Sequence, residues 1–260
     1  MKYYPGRVVT WAYRMVVGIL VPPVRFFTDR HWSGIENIPE EGGFIAVSNH
    51  VTNFDPLTFG HFLVANGIPV KFLAKSGLFE TPIVGPILSA CRQIPVYRGT
   101  TRAAESLDAA EEALRSGECV GIFPEGTLTH DPDEWPMKGY PGAARLALST
   151  GVPVIPVAQW GAQRVIPRFE NYPASLRKQR VDVMAMPPVD LSRFEGKPLT
   201  HDVLLEATEV IMAELTRGVA ELRGEEPPEH VWDRRVDGDR RLPHKVAKAR
   251  RKAEEKAAKQ

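Results

Sequence analysis

The sequence predicts an α/β protein: a single three-layer domain with a largely parallel mixed sheet, plus an N-terminal interfacial helical segment and a basic C-terminal tail. Short apolar runs alternate with helical patterns from residue 44 onward, which is typical of strands and crossover helices around a parallel sheet. With 43% hydrophobic and 25% charged residues, the composition is that of an ordinary folded chain rather than a disordered or integral membrane protein. The predicted boundaries are 1–32 for the N-terminal segment, 33–224 for the domain and 225–260 for the tail.

The N-terminal segment is mostly apolar over residues 8–27, but it is too interrupted to span a membrane. Arg14 interrupts it and Pro22-Pro23 break it, leaving ten uninterrupted apolar positions. A span needs about 20. It also lacks the cleavage site of a signal peptide. We therefore expect an amphipathic segment in the interface of an anionic membrane, with Trp11 and the other aromatic side chains at headgroup depth. The alternative is an amphipathic helix that packs on its own domain.

Six strands are expected from short apolar runs. They are FIAVS at 44–48, VKFLA at 70–74, IPVY at 94–97, CVGIF at 119–123, VPVIPVAQ at 152–159 and RVDVMAM at 180–186. The last run alternates at a period of two, so we expect it nearer an edge of the sheet.

Four long helices are expected from capping signals and apolar periodicity. They are 56–66, 101–117, 140–151 and 200–224. Glycines close the first two, and a threonine at position 200 caps the last. The proline-interrupted stretch between the second and third strands is expected to form short helices and turns.

The tail carries an excess of positive charge. Residues 231–260 hold eleven Lys and Arg against five Asp and Glu, and the first 32 residues are basic as well. Basic ends around a mildly acidic body suit an anionic surface, either a membrane or a nucleic acid. The partner we expect is a membrane, and no nucleic acid. After Gly224 the chain is broken by prolines and then lacks an apolar face, which predicts a partly disordered tail. A solvated tail without a partner is the alternative.

The two cysteines, Cys91 and Cys119, have the spacing of neither a metal site nor a disulfide framework. A reducing cytosol is the expected environment, and no bound metal is expected.

The stretch SNHVTNFDP at 48–56 holds a histidine and an aspartate five positions apart, in the loop between a strand and a helix. Ligands bind at the carboxyl ends of strands in open α/β sheets, so His50 and Asp55 are candidates for a catalytic base and its orienting carboxylate. Asp55 before Pro56 also has the pattern of a helix N-cap. The two roles are compatible. We expect Asp55 to cap the helix while its charge fixes the imidazole tautomer and leaves Nε2 free as a base.

A second motif, GIFPEGTLTH at 121–130, also follows a predicted strand. In a parallel sheet, Glu125 and Thr127 would open on the same edge as His50. Gly126 permits a tight turn and a close backbone approach to a ligand. Taken alone, the stretch would be read as an ordinary acidic turn.

Together these motifs resemble those of the glycerolipid acyltransferases of the 1-acyl-sn-glycerol-3-phosphate acyltransferase type. NHVTNFDP is similar to the Asn-His-x4-Asp motif of that family, and FPEGT is similar to its Phe-Pro-Glu-Gly-Thr motif. IPVYRG at 94–99 and VPVIPVA at 152–158 resemble two further blocks, and all four occur in the family order. The resemblance covers roughly residues 30–190.

The resemblance implies an O-acyltransferase with His50 as the general base and Asp55 as its orienting group. The acceptor hydroxyl of lysophosphatidic acid would attack the thioester of an acyl-CoA or acyl carrier protein, giving phosphatidic acid. It implies no covalent acyl-enzyme, and the chain has no Gly-x-Ser-x-Gly motif for one. No cofactor is expected besides the thioester co-substrate. The expected location is the cytoplasmic face of a membrane, as a peripheral or monotopic protein.

The resemblance also implies a substrate-binding set. Arg98 matches the motif arginine of the family, whose planar fork suits the phosphate of the acceptor. Glu125, Gly126 and Thr127 match the acceptor-contacting motif, where Glu125 is expected to bind a glycerol hydroxyl or hold a basic residue. Lys75 is a further candidate, with a solvated surface lysine as the alternative.

One departure from the family leaves the acceptor open. Many members continue the Glu-Gly-Thr motif with Arg and Ser, where this chain has Leu128 and Thr129. The candidates to replace the missing cation are Lys138, Arg92, His130 and Arg164. Glycerol 3-phosphate or another lysophospholipid is therefore the alternative acceptor.

Two other classes of function are alternatives to acyl transfer. One is a catalytically inactive lipid-binding module. The other is metal-dependent hydrolysis with His50, Asp55 and Glu125 as ligands, against which stands the lack of two histidines at ligand spacing.

Overall fold

The computed structural model describes residues 9–97 and 102–240. Seven strands form one sheet in the order β1-β7-β6-β2-β5-β3-β4. The strands are β1 Thr28–Ser33, β2 Phe44–Val47, β3 Val70–Lys75, β4 Ile94–Val96, β5 Cys119–Ile122, β6 Val154–Trp160 and β7 Gln179–Ala185. All neighbouring strands are parallel except β6 and β7. The predicted fold class, a largely parallel mixed sheet, is confirmed.

Six α-helices are described. They are α1 Trp11–Phe27, α2 Asp55–Ala65, α3 Val84–Ala90, α4 Ala103–Arg115, α5 Gly142–Thr150 and α6 His201–Arg223. Helices α1 and α2 cover one face of the sheet, and α4, α5 and α6 cover the other. Strand β2 shows why both layers form. Its Phe44 and Ala46 join one hydrophobic core while Ile45 and Val47 join the other, since successive side chains point to opposite faces.

The sequence pattern missed strand β1. Five of its six residues, TDRHWS, are polar, Trp32 is half-buried, and only Thr28 is buried, because β1 lies at the edge of the sheet and pairs with β7 alone. No apolar run therefore marks it. The sheet begins ahead of the predicted domain boundary at residue 33.

The prediction that Pro22-Pro23 break the N-terminal segment is wrong, because α1 continues through both prolines to Phe27. A proline inside a helix deprives the carbonyl four residues earlier of its donor. Here those carbonyls belong to Gly18 and Ile19, which are exposed, so the surrounding medium can donate hydrogen bonds to them. No described helix combines the length and the hydropathy that crossing a bilayer requires.

Part of the predicted tail lies against the domain. The Lys138 N–H donates to the Trp232 carbonyl at 2.9 Å, and the Arg240 N–H donates to Nδ1 of His130 at 2.9 Å. The remainder, residues 241–260, lies outside the described residues.

Candidate active site

The two sequence motifs meet because their strands are neighbours. Strands β2 and β5 run parallel, with Val47 in register with Ile122, so the loops that follow them leave the same edge of the sheet. The Thr129 N–H donates to the His50 carbonyl at 2.6 Å, which joins the two loops directly. The expectation that His50 and Glu125 share one edge is confirmed.

His50 and Asp55 form a hydrogen-bonded pair. Nδ1 of His50 lies 3.0 Å from Oδ2 of Asp55, and the same oxygen accepts the N–H groups of Val51 at 2.5 Å and Thr52 at 2.7 Å. Asp55 is buried, whereas the His50 side chain is 15% exposed. A carboxylate at Nδ1 favours the tautomer with its proton there, so the other ring nitrogen, Nε2, is free to accept a proton.

Asp55 is not the helix cap that the sequence predicts. Phe54 occupies the N-cap position of α2 without a side-chain hydrogen bond, and Asp55 is the first helical residue. Its carboxylate bonds the two loop amides that precede it instead of amides of the helix. The reason is the turn closed by the Asp55 N–H to the Thr52 carbonyl at 3.2 Å, which brings the carboxylate onto its own loop.

Burial raises the pKa of Asp55 above its ordinary value, and the hydrogen bond from His50 is the strongest of the interactions that oppose this. The charge of His50 and the two loop amides act in the same direction as that hydrogen bond. All three donors around Oδ2 interact best with an ionised carboxylate. The geometry therefore suits an anion that orients the imidazole.

Glu125 ties the catalytic loop to a second loop. Its Oε1 accepts the His50 N–H at 2.8 Å, and its Oε2 accepts the Met137 N–H at 3.1 Å. The side chain is fully buried, and burial raises its pKa to about 8 against the lowering effect of those amides. In this structure Glu125 therefore positions the backbone of His50. Its predicted contact with the acceptor stays a prediction.

An aromatic column supports the imidazole. Phe123 stacks on His50 at 4.2 Å with an interplanar angle of 24°, and Phe72 lies 6.2 Å from Phe123 at 11°. Gly121 leaves room for this column, since a Cβ there would meet the Phe72 ring at 2.8 Å. The sequence did not indicate Phe123 as a site residue, although Phe123 belongs to the FPEGT motif.

Asn49 ties the loop to the next strand on the other side. Its amide donates to the Gln159 carbonyl at 2.9 Å and its oxygen accepts the Gln159 N–H at 2.9 Å, with Asn49 fully buried. Asn49 is part of the quoted motif, but its partner lies 110 positions away, so only the fold shows the contact.

The remaining predicted site residues are distributed unevenly. Gly126 has a φ of +67°, and its N–H donates to the Phe123 carbonyl at 2.9 Å, so the tight turn is confirmed. Thr127 is half-buried in the same turn, and Lys75 is exposed at the carboxyl end of β3. Arg98 lies outside the described residues.

The residue at the family arginine position is part of the protein interior. Leu128 is buried, at 7% exposure, so a cation from another segment is needed there if the acceptor carries a phosphate. Among the candidates, His130 is buried, and its Nδ1 lies 3.1 Å from a carboxylate oxygen of Asp239. Lys138 pairs with Asp233 at 3.4 Å.

Two candidate cations lie at different edges of the sheet. Arg92 lies near Val70, the first residue of β3, which is at the edge opposite His50. Arg164 is exposed in the turn after β6, at the catalytic edge. Of these two arginines, only Arg164 is on the side where an acceptor would bind.

Within residues 9–97 and 102–240, no group of three or more His, Cys, Asp or Glu side chains is arranged to hold a metal ion. Among these described residues, His50, Asp55 and Glu125 do not form the metal site that the hydrolase alternative requires.

A largely parallel sheet in an α/β domain, with a histidine–carboxylate pair at its carboxyl edge built from these two motifs, defines a protein of the acyltransferase class. The sequence profile of the Acyltransferase family matches residues 29–160, about half of the chain. The chain belongs to this family.

Named relatives agree with the assignment. A 1-acyl-sn-glycerol-3-phosphate acyltransferase of Borreliella burgdorferi is 30% identical over 186 residues, which cover 69% of this chain and 71% of that protein. The chloroplastic 1-acyl-sn-glycerol-3-phosphate acyltransferase BAT2 of Brassica napus is 34% identical over 136 residues, which are 52% of this chain but only 38% of that protein.

A solved structure is also similar. The crystal structure of the 1-acyl-sn-glycerophosphate (LPA) acyltransferase PlsC from Thermotoga maritima matches with a TM-score of 0.60 and 27% identity, covering 83% of this chain and 81% of that one. The resemblance read from the sequence motifs is confirmed.

Proposed function

We propose that this protein is a 1-acyl-sn-glycerol-3-phosphate O-acyltransferase that moves a fatty acyl chain from an acyl-CoA or acyl carrier protein thioester to the free hydroxyl of lysophosphatidic acid. The product is phosphatidic acid. The observation that carries the proposal is the His50–Asp55 pair, in which one imidazole nitrogen is bonded to a buried carboxylate while the histidine side chain is 15% exposed. The names of the relatives support the choice of acceptor.

In the proposed reaction, Nε2 of His50 takes the proton of the acceptor hydroxyl as its oxygen attacks the thioester carbonyl. A tetrahedral oxyanion forms and collapses as the carbon–sulfur bond breaks. The thiolate leaves readily, because a thiol has a pKa of about 8.5. The proton on the imidazole then passes to the thiolate or to water, so no group on the protein is acylated.

Three neighbours support His50 in this role. Asp55 stabilises the imidazolium that forms, and the face of Phe123 also favours a cation. Glu125 holds the His50 backbone, so the base is positioned before the substrate arrives.

The acceptor is proposed to bind at the same edge of the sheet. Arg98 is the proposed phosphate ligand, with Lys75 and the Gly126–Thr127 turn as further contacts. Because Leu128 is buried where many members of the family carry arginine, glycerol 3-phosphate or another lysophospholipid is the second candidate acceptor.

The protein is proposed to bind the cytoplasmic face of an anionic membrane as a peripheral or monotopic protein. Helix α1 supports this with an apolar stripe at helical spacing, in which Trp11 is 73% exposed, Ile19 66% and Phe26 56%. Arg14 and Arg25 of the same helix are exposed and would meet lipid phosphates.

The test is thiol release by purified protein supplied with acyl-CoA and a panel of acceptors, compared between wild type and His50→Ala. His31→Ala is the matched control, since His31 forms an exposed pair with Asp29 at 3.1 Å that the mechanism does not use. The variant at position 50 should lose activity and the control should keep it.

Equal thiol release from wild type and His50→Ala would overturn the catalytic assignment. Wild-type protein that binds lipid vesicles but releases no thiol with any acceptor would instead favour the inactive lipid-binding module. The acceptor that supports turnover identifies the substrate.

A further inference from the structure

The C-terminal part of the chain covers the loop that carries Met137. Residues 225–240, here called the C-terminal strap, follow α6 and contact residues 130–140. The contacts include the Trp232 carbonyl with the Lys138 N–H at 2.9 Å and the Asp239 carboxylate with His130 at 3.1 Å. A cavity of about 960 Å³ lies between the strap, the loop and α6. Polar contacts therefore join the strap to this loop.

Arg223, the last residue of α6, joins the helix to this loop. Its guanidinium lies 3.9 Å from the ring centre of Trp135 and 4.4 Å from that of Trp160. Its Nη1 donates to the Asp133 carbonyl at 2.8 Å, and its Nε donates to Glu225 at 2.9 Å. The side chain is only 7% exposed.

Both tryptophans are connected to His50 through neighbouring residues and their hydrogen bonds. Trp135 lies two residues before Met137, whose N–H bonds Glu125, and Glu125 in turn bonds the His50 N–H. Trp160 directly follows Gln159, whose backbone is held by Asn49, the residue before His50.

We propose that Arg223 is a positioning residue for acyl transfer: by clamping Trp135 to Trp160 it fixes the loop that presents Met137 to Glu125, and so fixes the backbone of the catalytic histidine. The proposal rests on the proposed function for its catalytic part. Its structural part, the order of the 131–137 loop, does not depend on that function.

The chemistry of the side chain explains why an arginine is needed. A guanidinium is planar, so it can lie against two indoles while its in-plane N–H groups reach a carbonyl and a carboxylate. A lysine keeps the charge, but its compact ammonium group has no plane that can lie against two indoles. Glutamine removes the charge and keeps a polar side chain.

The first experiment measures hydrogen exchange of residues 131–140 in Arg223→Gln, Arg223→Lys and Arg217→Gln. Arg217 is the matched control, because it lies on the same helix in an exposed ion pair with Glu214. Exchange of the loop should accelerate at least tenfold in Arg223→Gln, by less in Arg223→Lys and not at all in the control. Unchanged exchange in Arg223→Gln would overturn the proposal, and so would an equal increase throughout the protein.

The second experiment measures kcat and KM for the same variants and for Glu125→Gln with and without Arg223→Gln. A misplaced catalytic group costs about a hundredfold in rate, so kcat of Arg223→Gln should fall about 10- to 100-fold with little change in KM. Because Arg223 acts through Glu125, the double variant should be less impaired than the product of the two single effects. A loss in the double variant equal to that product would refute this route.

The two experiments separate the two proposals. If wild-type protein shows no acyl transfer, the proposed function fails, and the exchange measurement still tests the clamp. If wild-type protein is active and loop exchange is unaffected, the clamp alone fails.

Discussion

Replacing Glu125 with glutamine should make the protein less stable than wild type at low pH and more stable than wild type at high pH. Glu125 is fully buried, and its pKa is raised from 4.5 to about 8. Between these two values the folded protein keeps a proton that the unfolded chain has released. Folding therefore binds protons in this window, and the free energy of unfolding falls as the pH rises through it.

The size of the effect follows from the shift. A pKa raised from 4.5 to about 8 corresponds to roughly 5 kcal/mol of stability, present below pH 4.5 and lost by about pH 8. Glutamine does not titrate, but it accepts only one of the His50 and Met137 N–H groups, and leaving the other unpaired costs about 1–3 kcal/mol. The variant should be less stable than wild type by about that amount at low pH. Near pH 9 it should be more stable by about 2–4 kcal/mol.

The measurement is urea unfolding followed by tryptophan fluorescence, using the five tryptophans of the chain, at intervals from pH 5 to 9. Subtracting the two curves cancels the titration of every group that does not interact with Glu125. Glu209→Gln, which removes an exposed carboxylate from α6, is the control and should stay within about 0.5 kcal/mol of wild type throughout. A difference between Glu125→Gln and wild type that does not change with pH would refute the reasoning.

Three further predictions concern the base, the altered motif position and the membrane. Asp55→Asn should lower kcat by a factor of about 10² to 10⁴ with KM little changed, because the amide cannot accept from Nδ1 of His50 as the carboxylate does. A variant whose kcat in steady-state thiol release equals that of wild type would contradict this. Leu128→Arg, which restores the residue common in the family, should lower the free energy of unfolding by about 4 kcal/mol or more, because position 128 is buried. Leu128→Met should lower it by under about 1.5 kcal/mol. Urea unfolding compares the two variants, and an arginine variant as stable as wild type would show that the site admits a cation. Changing both Trp11 and Ile19 to serine should weaken co-sedimentation with anionic vesicles at least tenfold. Leu176→Ser, at a loop position that is 76% exposed, should not weaken it. Equal binding by wild type and both variants would show that α1 does not contact the membrane.

The sequence predicted most of the sheet because its central strands are buried on both faces. Residues 44–48 and 119–123 are apolar runs whose observed strands, β2 and β5, lie at the centre of the sheet. Strand β1 gave no such signal, since an edge strand that is exposed keeps polar residues. Its pairing with β7, more than 140 residues away, is a tertiary fact.

The candidate site, like the sheet, could be predicted from the sequence only in part. His50, Asp55 and Glu125 could be selected from motif spacing, and parallel topology alone put them on one edge. The contacts of Glu125 could not be selected, because they depend on how the loop around Met137 folds back over the motif. In the folded protein the Glu125 side chain is buried and accepts hydrogen bonds from two backbone amides, and its contact with the acceptor stays a prediction.

By itself, the sequence determined the class of fold, the histidine–aspartate pair and the family, because each is encoded in residues that are close in the chain or in motifs of fixed order. Only the tertiary structure decided that Asp55 turns back onto its own loop, that Phe123 supports the imidazole and that Arg223 clamps Trp135 to Trp160. These contacts join segments whose separation along the chain carries no signal of their meeting. Their energies depend on burial and geometry, which exist only once the sheet and its two helical layers have formed.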